Sequence, residues 1–370
     1  HFYGTVVEKP ERKQLPLRLS RIKNVGASIF MSAPLVYRKR LFTASVDDNE
    51  SGKAAVVCMD AQNGTVCWRY SLRGSVRSSI AIADGLVFAQ DVHGYLYAIQ
   101  AETGTLVWEK DLNIGVLPPL NDGLVAVSDI VYAGTGKSLC ALKAATGELI
   151  WKNGAWSRGE GCVATLSLGH SILIEHANWK GLYANNAVNG ELLWENKDAE
   201  LKYRSASVAW EGENLYLLSS RSFFILNSKN GEIIVRKKLN CSVNVNSTPL
   251  VTGSEIIFGT ATNGVIALDK QTLEEKWNFK TNPALIYTSP YSKPSSSTVE
   301  TSPVLVGDSI FFGASDGILY ALNRINGKLL WKYQTGVPIF STVSIAGNAL
   351  YVTDFAGNVY GFIMNNKTQD

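Results

Sequence analysis

The side chains able to grip a small ligand are concentrated in the stretches that join one strand-rich unit of this chain to the next. Arg73 and Arg77 lie in the first such stretch, Trp156, Arg158 and Glu160 in another, and Tyr203, Arg204, Asn244 and Asn246 in later ones. Tyr287, Tyr291, Glu300 and Phe340 follow in the last two. Arginines beside aromatic rings, with one or two carboxylates, are the types that hold an anionic or carbohydrate-like group through forked hydrogen bonds and stacking. The same residues would equally serve as polar filling of a wet channel. From them we take Arg77, Trp156, Arg158, Glu160, Tyr203, Arg204, Asn246, Tyr287 and Glu300 as the candidate ligand-binding set.

Catalytic or metal chemistry finds less material. The chain has four histidines, His1, His93, His170 and His176. His93 stands at a turn position that Asp316 and Asn263 hold elsewhere, so it reads as turn chemistry. The stretch Glu175-His176-Ala-Asn178-Trp179 departs from its surroundings and is read either as a polar turn or as an acid–base or metal position. The five cysteines, Cys58, Cys67, Cys140, Cys162 and Cys241, form no CxxC pair and are odd in number, which argues against a zinc site or a disulfide framework. They suit small apolar core positions, although Cys58 and Cys67 flank one turn and could pair if the strand register allows. We expect no catalytic residues and no metal.

These residues need a scaffold, and the sequence supplies one by repetition. The phrase Gln100-Ala-Glu-Thr-Gly104-Thr-Leu-Val-Trp108 recurs as Lys143 to Trp151, Asn186 to Trp194 and Asn323 to Trp331, and first appears as Met59 to Trp68. Two copies vary: Asn227 to Val235 has valine in the tryptophan place, and Asp269 to Trp277 has Leu273 in the glycine place. The steps between successive Trp (or Val) positions are 40, 43, 43, 41, 42 and 54 residues. In each copy a Gly suited to positive φ sits between two apolar runs, with an Asp or Asn placed to bond the turn amides; that is a hairpin. The closing Trp has the bulk to pack on a neighbouring unit. A second hairpin precedes each phrase, as in Ile82 to Ile99, Thr252 to Leu268 and Val306 to Leu322, so each repeat supplies four short strands.

Counting these middle hairpins gives eight, the last running from Ala346 to Ile363 and lacking an outer strand. Residues Leu15 to Ile22 are strand-like and lack a hairpin of their own. The economical solution is an all-β, eight-bladed β-propeller of four-stranded antiparallel blades, its last blade closed by the N-terminal strand, which removes a free sheet edge. A seven-bladed ring would leave one hairpin unplaced. We expect residues 1–14 as a linker or extension, 15–363 as one propeller domain and 364–370 as a tail. The charged run Val7 to Gln14 resembles an interdomain linker. Two insertions interrupt the pattern: a long loop from Thr281 to Pro303, expected over the ligand rim, and Asp47 to Gly52, expected as a solvated turn on the opposite face.

Composition narrows the partners. Hydrophobic residues make up 46% and charged residues 18%, enough for a large core. A net charge of +3 is too small to point to nucleic acid, and no apolar run reaches the roughly 18 residues that span a bilayer. The chain begins at His1 with no signal peptide in view, so a mature or trimmed product is expected.

The segments Gly94 to Trp108 and Gly317 to Trp331 resemble the repeat of pyrroloquinoline-quinone-like propellers. The resemblance covers about Ala27 to Ile363 and implies an eight-bladed ring whose tryptophans dock successive blades. That family includes quinone-dependent alcohol dehydrogenases, the lipoprotein of the outer-membrane barrel assembly machinery, and accessory domains of larger bacterial proteins. Its dehydrogenases carry an adjacent Cys-Cys pair and long insertions with calcium-binding carboxylates; this sequence has neither, so no quinone or other cofactor is expected. The resemblance implies a non-catalytic binding or scaffolding propeller, monomeric and periplasmic or extracellular. Its partner would be another protein or another domain of a longer parent, such as a metallophosphoesterase.

Overall fold

The structure is a computed structural model that describes residues 13–49, 51–112, 123–134, 138–154, 165–177, 179–202, 206–243, 245–286 and 295–366. It contains eight four-stranded antiparallel sheets, each a blade of one closed ring. Blades 1 to 7 comprise residues 35–71, 81–111, 125–153, 167–196, 209–238, 250–279 and 304–334, each with its strands A to D in chain order. Blade 8 takes three strands from 344–366 and its outer strand from the N-terminal segment Lys13–Asn24. That ladder pairs Leu17 with Met364 and Arg21 with Gly361; it begins at Lys13 against the expected 15 and reaches Asn366 against 363. Eight blades are therefore present, and seven are excluded. Among the described residues the only helical turn is a 3-10 turn at Ala199–Lys202.

Burial follows the layering. Strand B of blade 2, Leu86–Gln90, is buried at every position, whereas its strand D, Leu106–Asp111, alternates between half-buried and exposed. Middle strands are covered by a neighbouring blade on both faces, so they read as continuous apolar runs; strand D lies on the circumference and keeps a wet side. No single core exists. Instead a hydrophobic cluster fills each of the eight junctions: one joins Phe42 and Cys58 of blade 1 to Tyr97 and Ile99 of blade 2, and another closes the ring from Tyr351 of blade 8 to Leu41 of blade 1.

The recurring phrase explains how blades lock. Its Gly sits at positive φ in the C–D turn, 75° at Gly190, and the preceding Asp or Asn accepts the turn amides, as Asp60 does from Gln62 (2.8 Å) and Asn63 (2.9 Å). The Trp of one blade lies flat on the Gly of the next. The Trp151 indole N–H donates to the Ala187 carbonyl at 3.0 Å, and a Cβ added at Gly190 would stand 2.4 Å from the Trp151 ring. The same arrangement joins Trp68 to Ala101 and Gly104, Trp108 to Ala144 and Gly147, Trp194 to Ser228 and Gly231, and Trp277 to Arg324 and Gly327. Where Val235 replaces Trp, the facing glycine is replaced by Leu273, which packs on the cluster between blades 5 and 6. The two departures from the repeat compensate one another. A buried ion cluster adds to the junction of blades 6 and 7: Glu255, 2% exposed, bonds Lys276 at 2.8 Å and also Arg324.

The remaining expectations fall as follows. Glu175 and His176 are not in a turn; both are buried within strand B of blade 4, Ile172–Ala177, and the His176 ring bonds the Leu201 carbonyl. A strand that must cover its neighbour carries them inward, and burial lowers the imidazole to about 4. Cys58, Cys140 and Cys241 are buried free thiols, and Cys67 is an exposed one; Cys162 lies outside the described residues. The insertion at Asp47 to Gly52 connects strands B and C of blade 1, which places it on the same face as the D-to-A loops. The expectation of the opposite face is corrected by a direct contact: Asp48 pairs with Arg77 at 2.7 Å.

Candidate functional site

Each strand A begins at the axis, and the residues before it line the channel. The two positions ahead of the last residue before strand A form a repeating Ser/Thr-rich pair. It reads Ser78-Ser79, Ser247-Thr248, Thr301-Ser302 and Ser341-Thr342 in blades 2, 6, 7 and 8. The first of the pair turns outward to its own strand B: Ser247 Oγ accepts the Gly259 amide at 2.8 Å, and Thr301 Oγ1 donates to the Gly313 carbonyl at 2.7 Å. The second turns inward. Ser79, Thr165, Ser207, Thr248, Ser302 and Thr342 line an axial cavity of about 30 Å³, room for about one water. In blade 3 this slot is Gly123. Ser79 and Thr165 meet across it at 2.7 Å, and a Cβ there would lie 2.2 Å from the Ser79 Oγ, so only glycine fits the closed axis.

One layer outward is the mouth. Met31, Arg77, Asn246, Glu300 and Phe340 each stand four residues before the first residue of their strand A. Thus three members of the candidate set, Arg77, Asn246 and Glu300, do reach one layer. Glu300 is 3% exposed and accepts both the backbone N–H (2.9 Å) and the side-chain amide (3.0 Å) of Asn246. Arg77 is drawn toward Asp48 and over the Phe30 ring, 6.0 Å from its centroid. Arg73 is not at the mouth: it pairs with Glu109 and stacks on Tyr95 at 4.3 Å, on the outer flank of blade 2. Trp156, Arg158, Glu160, Tyr203, Arg204 and Tyr287 lie outside the described residues, as do Asn244 and Tyr291.

The sequence reading placed Phe340 on the rim but missed the rest of the aromatic half of the mouth. Phe30, Phe340 and Phe355 form an edge-to-face triad with centroids 5.6, 6.2 and 5.5 Å apart, with Met31 against it. The signal was present in the parallel between Ile29-Phe30-Met31-Ser32 and Ile339-Phe340-Ser341. It also missed the paired Asp and Tyr of the B–C turns. Asp91 bonds the Tyr97 hydroxyl at 2.9 Å, Asp354 bonds Tyr360 at 2.8 Å, and Asp316 bonds Tyr320 at 2.6 Å. Burial raises the Asp91 and Asp316 carboxyls and all three phenols above their ordinary values. These acids hold their turns: Asp91 also accepts the amides of His93 and Tyr95. The flanks of the long loop are pinned on the same face, with Asn282 N–H on Asp316 at 3.0 Å and Ser297 on the Thr281 carbonyl at 2.8 Å.

Among the described residues the mouth is therefore an apolar aromatic floor flanked by Arg77 and the buried carboxylate of Glu300 over a narrow axis. Such a surface can receive a protein side chain or loop. Among the described residues no group of three or more His, Cys, Asp or Glu is placed to hold a metal ion, and no helix is long and apolar enough to cross a membrane.

Comparison with known proteins follows the fold. A curated, uncharacterized protein of Rickettsia prowazekii is 27% identical over 158 residues, 40% of this chain and 36% of that one. The outer membrane protein assembly factor BamB of Yersinia pestis is 27% identical over 104 residues, 28% of this chain and 26% of that one. The matches thus span about a third or less of these relatives' length. Among solved structures, BamB from Moraxella catarrhalis superposes with a TM-score of 0.71 at 17% identity, covering 96% of this chain and 100% of that one. A quinohemoprotein alcohol dehydrogenase from Comamonas testosteroni gives 0.72 at 14%, covering 95% and 77%. At these identities the structures show the shared propeller fold alone. The family profile described as outer membrane protein assembly factor BamB matches residues 18–168 and 180–369, and by that match this chain belongs to the BamB family of PQQ-like repeat propellers.

Proposed function

We propose that this chain is a non-catalytic scaffold of the bacterial cell envelope that holds another protein against its axial mouth. The observation that carries the reading is the mouth itself: Phe30, Phe340 and Phe355 over a closed axis, with Arg77 and Glu300 on the flanks. Aromatic rings with an arginine at the edge are the composition of protein-binding hot spots. Family membership across most of the chain supports an interaction and assembly role in the envelope, periplasmic or at the surface.

The narrowness of the described part of the axis supports a reading without a redox quinone. Its cavity of about 30 Å³ compares with the roughly 300 Å³ or more of a drug-sized ligand site, and Gly123 lets two hydroxyls close it. The reading is tested by placing a photo-crosslinking phenylalanine analogue at Phe355 or Arg77, and at Asn348 on the opposite face, in the cell of origin. One discrete envelope protein joined from the mouth positions, and not from Asn348, is the expected result. Alcohol oxidation on adding quinone and calcium, with no mouth adduct, would overturn it.

A further inference from the structure

The ring closes at the junction of blades 8 and 1 by a different device from the Trp–Gly lock. In register, Arg21 of the closing strand stands where the docking tryptophan stands in other blades: it pairs with Gly361 as Trp68 pairs with Cys58 and Trp108 with Ala98. Its Cδ lies over Gly64, 3.5 Å from where a Cβ would be. The carbonyl that an indole N–H would take, that of Ala61, is taken instead by the Tyr351 hydroxyl at 2.9 Å. An arginine stem and a phenol thus share the work of one indole and leave part of its volume open. The result is a cavity of about 450 Å³ on the face opposite the mouth.

We propose that this seam cavity is a binding site for a small organic oxyanion, a phosphate ester or carboxylate on a short apolar body. Its walls carry the donors Arg21, Lys39, Ser20 and Asn348 above a floor that includes Val36 and Ile363, and no Asp or Glu lines it. The Arg21 guanidinium meets neutral acceptors, the Gln62 carbonyl and the Tyr351 hydroxyl (3.0 Å). Among the described residues neither Arg21 nor Lys39 has a carboxylate within ion-pair distance, while neighbouring Arg40 has Glu102 at 3.4 Å. Asp60, whose charge interacts with Arg21, is held by the amides of its own turn and does not line the cavity.

A second feature is independent of the cavity. Lys39 and Arg38 occupy the A–B turn of blade 1 with φ of 65° and 47°, consecutive long side chains in the left-handed region. Asp84-Gly85, Gly212, Gly307 and Gly347 serve this need in four other A–B turns, Ser128 in blade 3, and the pair His170-Ser171 in blade 4, with φ of 49° and 59°. What sets this turn apart is its charge: Arg38 stacks over Tyr37 at 5.1 Å, and Lys39 presents its ammonium to the cavity wall. The volume falls in the range of small-molecule sites, and the mixture of apolar floor and few polar donors is their usual lining.

The test uses phenyl phosphate, phenylacetate and benzyl alcohol titrated into the full chain, read by amide NMR shifts at Ala61, Ala346 and Asn348. Saturable shifts at these amides with one or both oxyanions, and none with the neutral alcohol, are expected; which oxyanion binds tighter identifies the head group. Lys39→Asn keeps a residue that tolerates the left-handed turn and removes the charge, and should weaken binding about tenfold with the fold unchanged. Arg21→Met keeps the stem over Gly64 and should weaken it at least as much. Absence of saturation with either oxyanion at about 10 mM, or unchanged affinity in Lys39→Asn, would overturn the proposal.

Discussion

The Trp–Gly lock makes a quantitative demand on one position. Gly190→Ala places a Cβ 2.4 Å from Trp151 Cε3 and 2.5 Å from its Cδ2, on a backbone with φ of +75°. Two costs add. The left-handed conformation costs about 1–2 kcal/mol for any residue with a Cβ, and forcing the indole off its seat costs about 1–3 kcal/mol more. Gly307→Ala isolates the first cost, because its φ is +60° and nothing lies within 4 Å. Equilibrium urea unfolding followed by circular dichroism should therefore show a loss of about 3–4 kcal/mol for Gly190→Ala against about 1 kcal/mol for Gly307→Ala. The natural pair Val235 and Leu273 suggests the rescue. Trp151→Val combined with Gly190→Leu should be less harmful than the sum of the single changes by at least about 1 kcal/mol, since each removes what the other clashes with or misses. Equal losses at Gly190 and Gly307, or strict additivity in the double variant, would refute the lock as a packing device.

Three further expectations follow from buried groups and ring closure. His176 has a folded value of about 4 because burial disfavours its charged form. Below pH 6.5 the unfolded chain therefore binds a proton that the folded chain refuses, so stability should fall by up to about 3 kcal/mol as pH drops from 6.5 toward 4. His176→Gln should flatten that slope in urea titrations, and an unchanged slope would place the effect elsewhere. Burial alone would raise Glu255, but hydrogen bonds from Lys276 and Thr252 and the charge of Arg324 outweigh it and leave it lowered. Its contribution is present above the ordinary glutamate range and lost as pH falls below it, and Glu255→Gln should cost about 2–3 kcal/mol at neutral pH, measured by the same unfolding assay. Deleting residues 15–22 removes most of the strand paired with 358–366 and should lower the thermal midpoint by about 10 °C or more; an unchanged midpoint would contradict closure by that strand.

Much of this architecture was legible because its information is local. The Asn-Gly and Thr-Gly turns, the apolar runs and the terminal Trp each encode a hairpin within about ten residues of chain, and a blade is two or three such hairpins in series. Blade number followed from counting, since a leftover hairpin would have no junction in which to bury its faces. The layer of Arg77, Asn246 and Glu300 was reachable for the same reason: each holds one offset from its own strand A. Direction was not reachable. Arg73 and Arg77 differ by four residues, yet one lies on Tyr95 at the flank and the other beside Asp48 at the mouth, because their partners come from different blades.

What the sequence by itself determined, then, is the repeated unit, its turns and the number of times it occurs. Tertiary structure alone decided what happens where the ring's ends meet and along its axis. Arg21 and Tyr351 touch across 330 residues, Phe30 joins Phe340 and Phe355 from opposite ends of the chain, and Ser79 reaches Thr165 only because blade 3 offers Gly123 between them. Periodicity fixes neighbours along a strand and across a hairpin. It carries no term for contacts made when a closed ring brings the starts of eight blades to one point, and there the proposed binding surfaces of this protein lie.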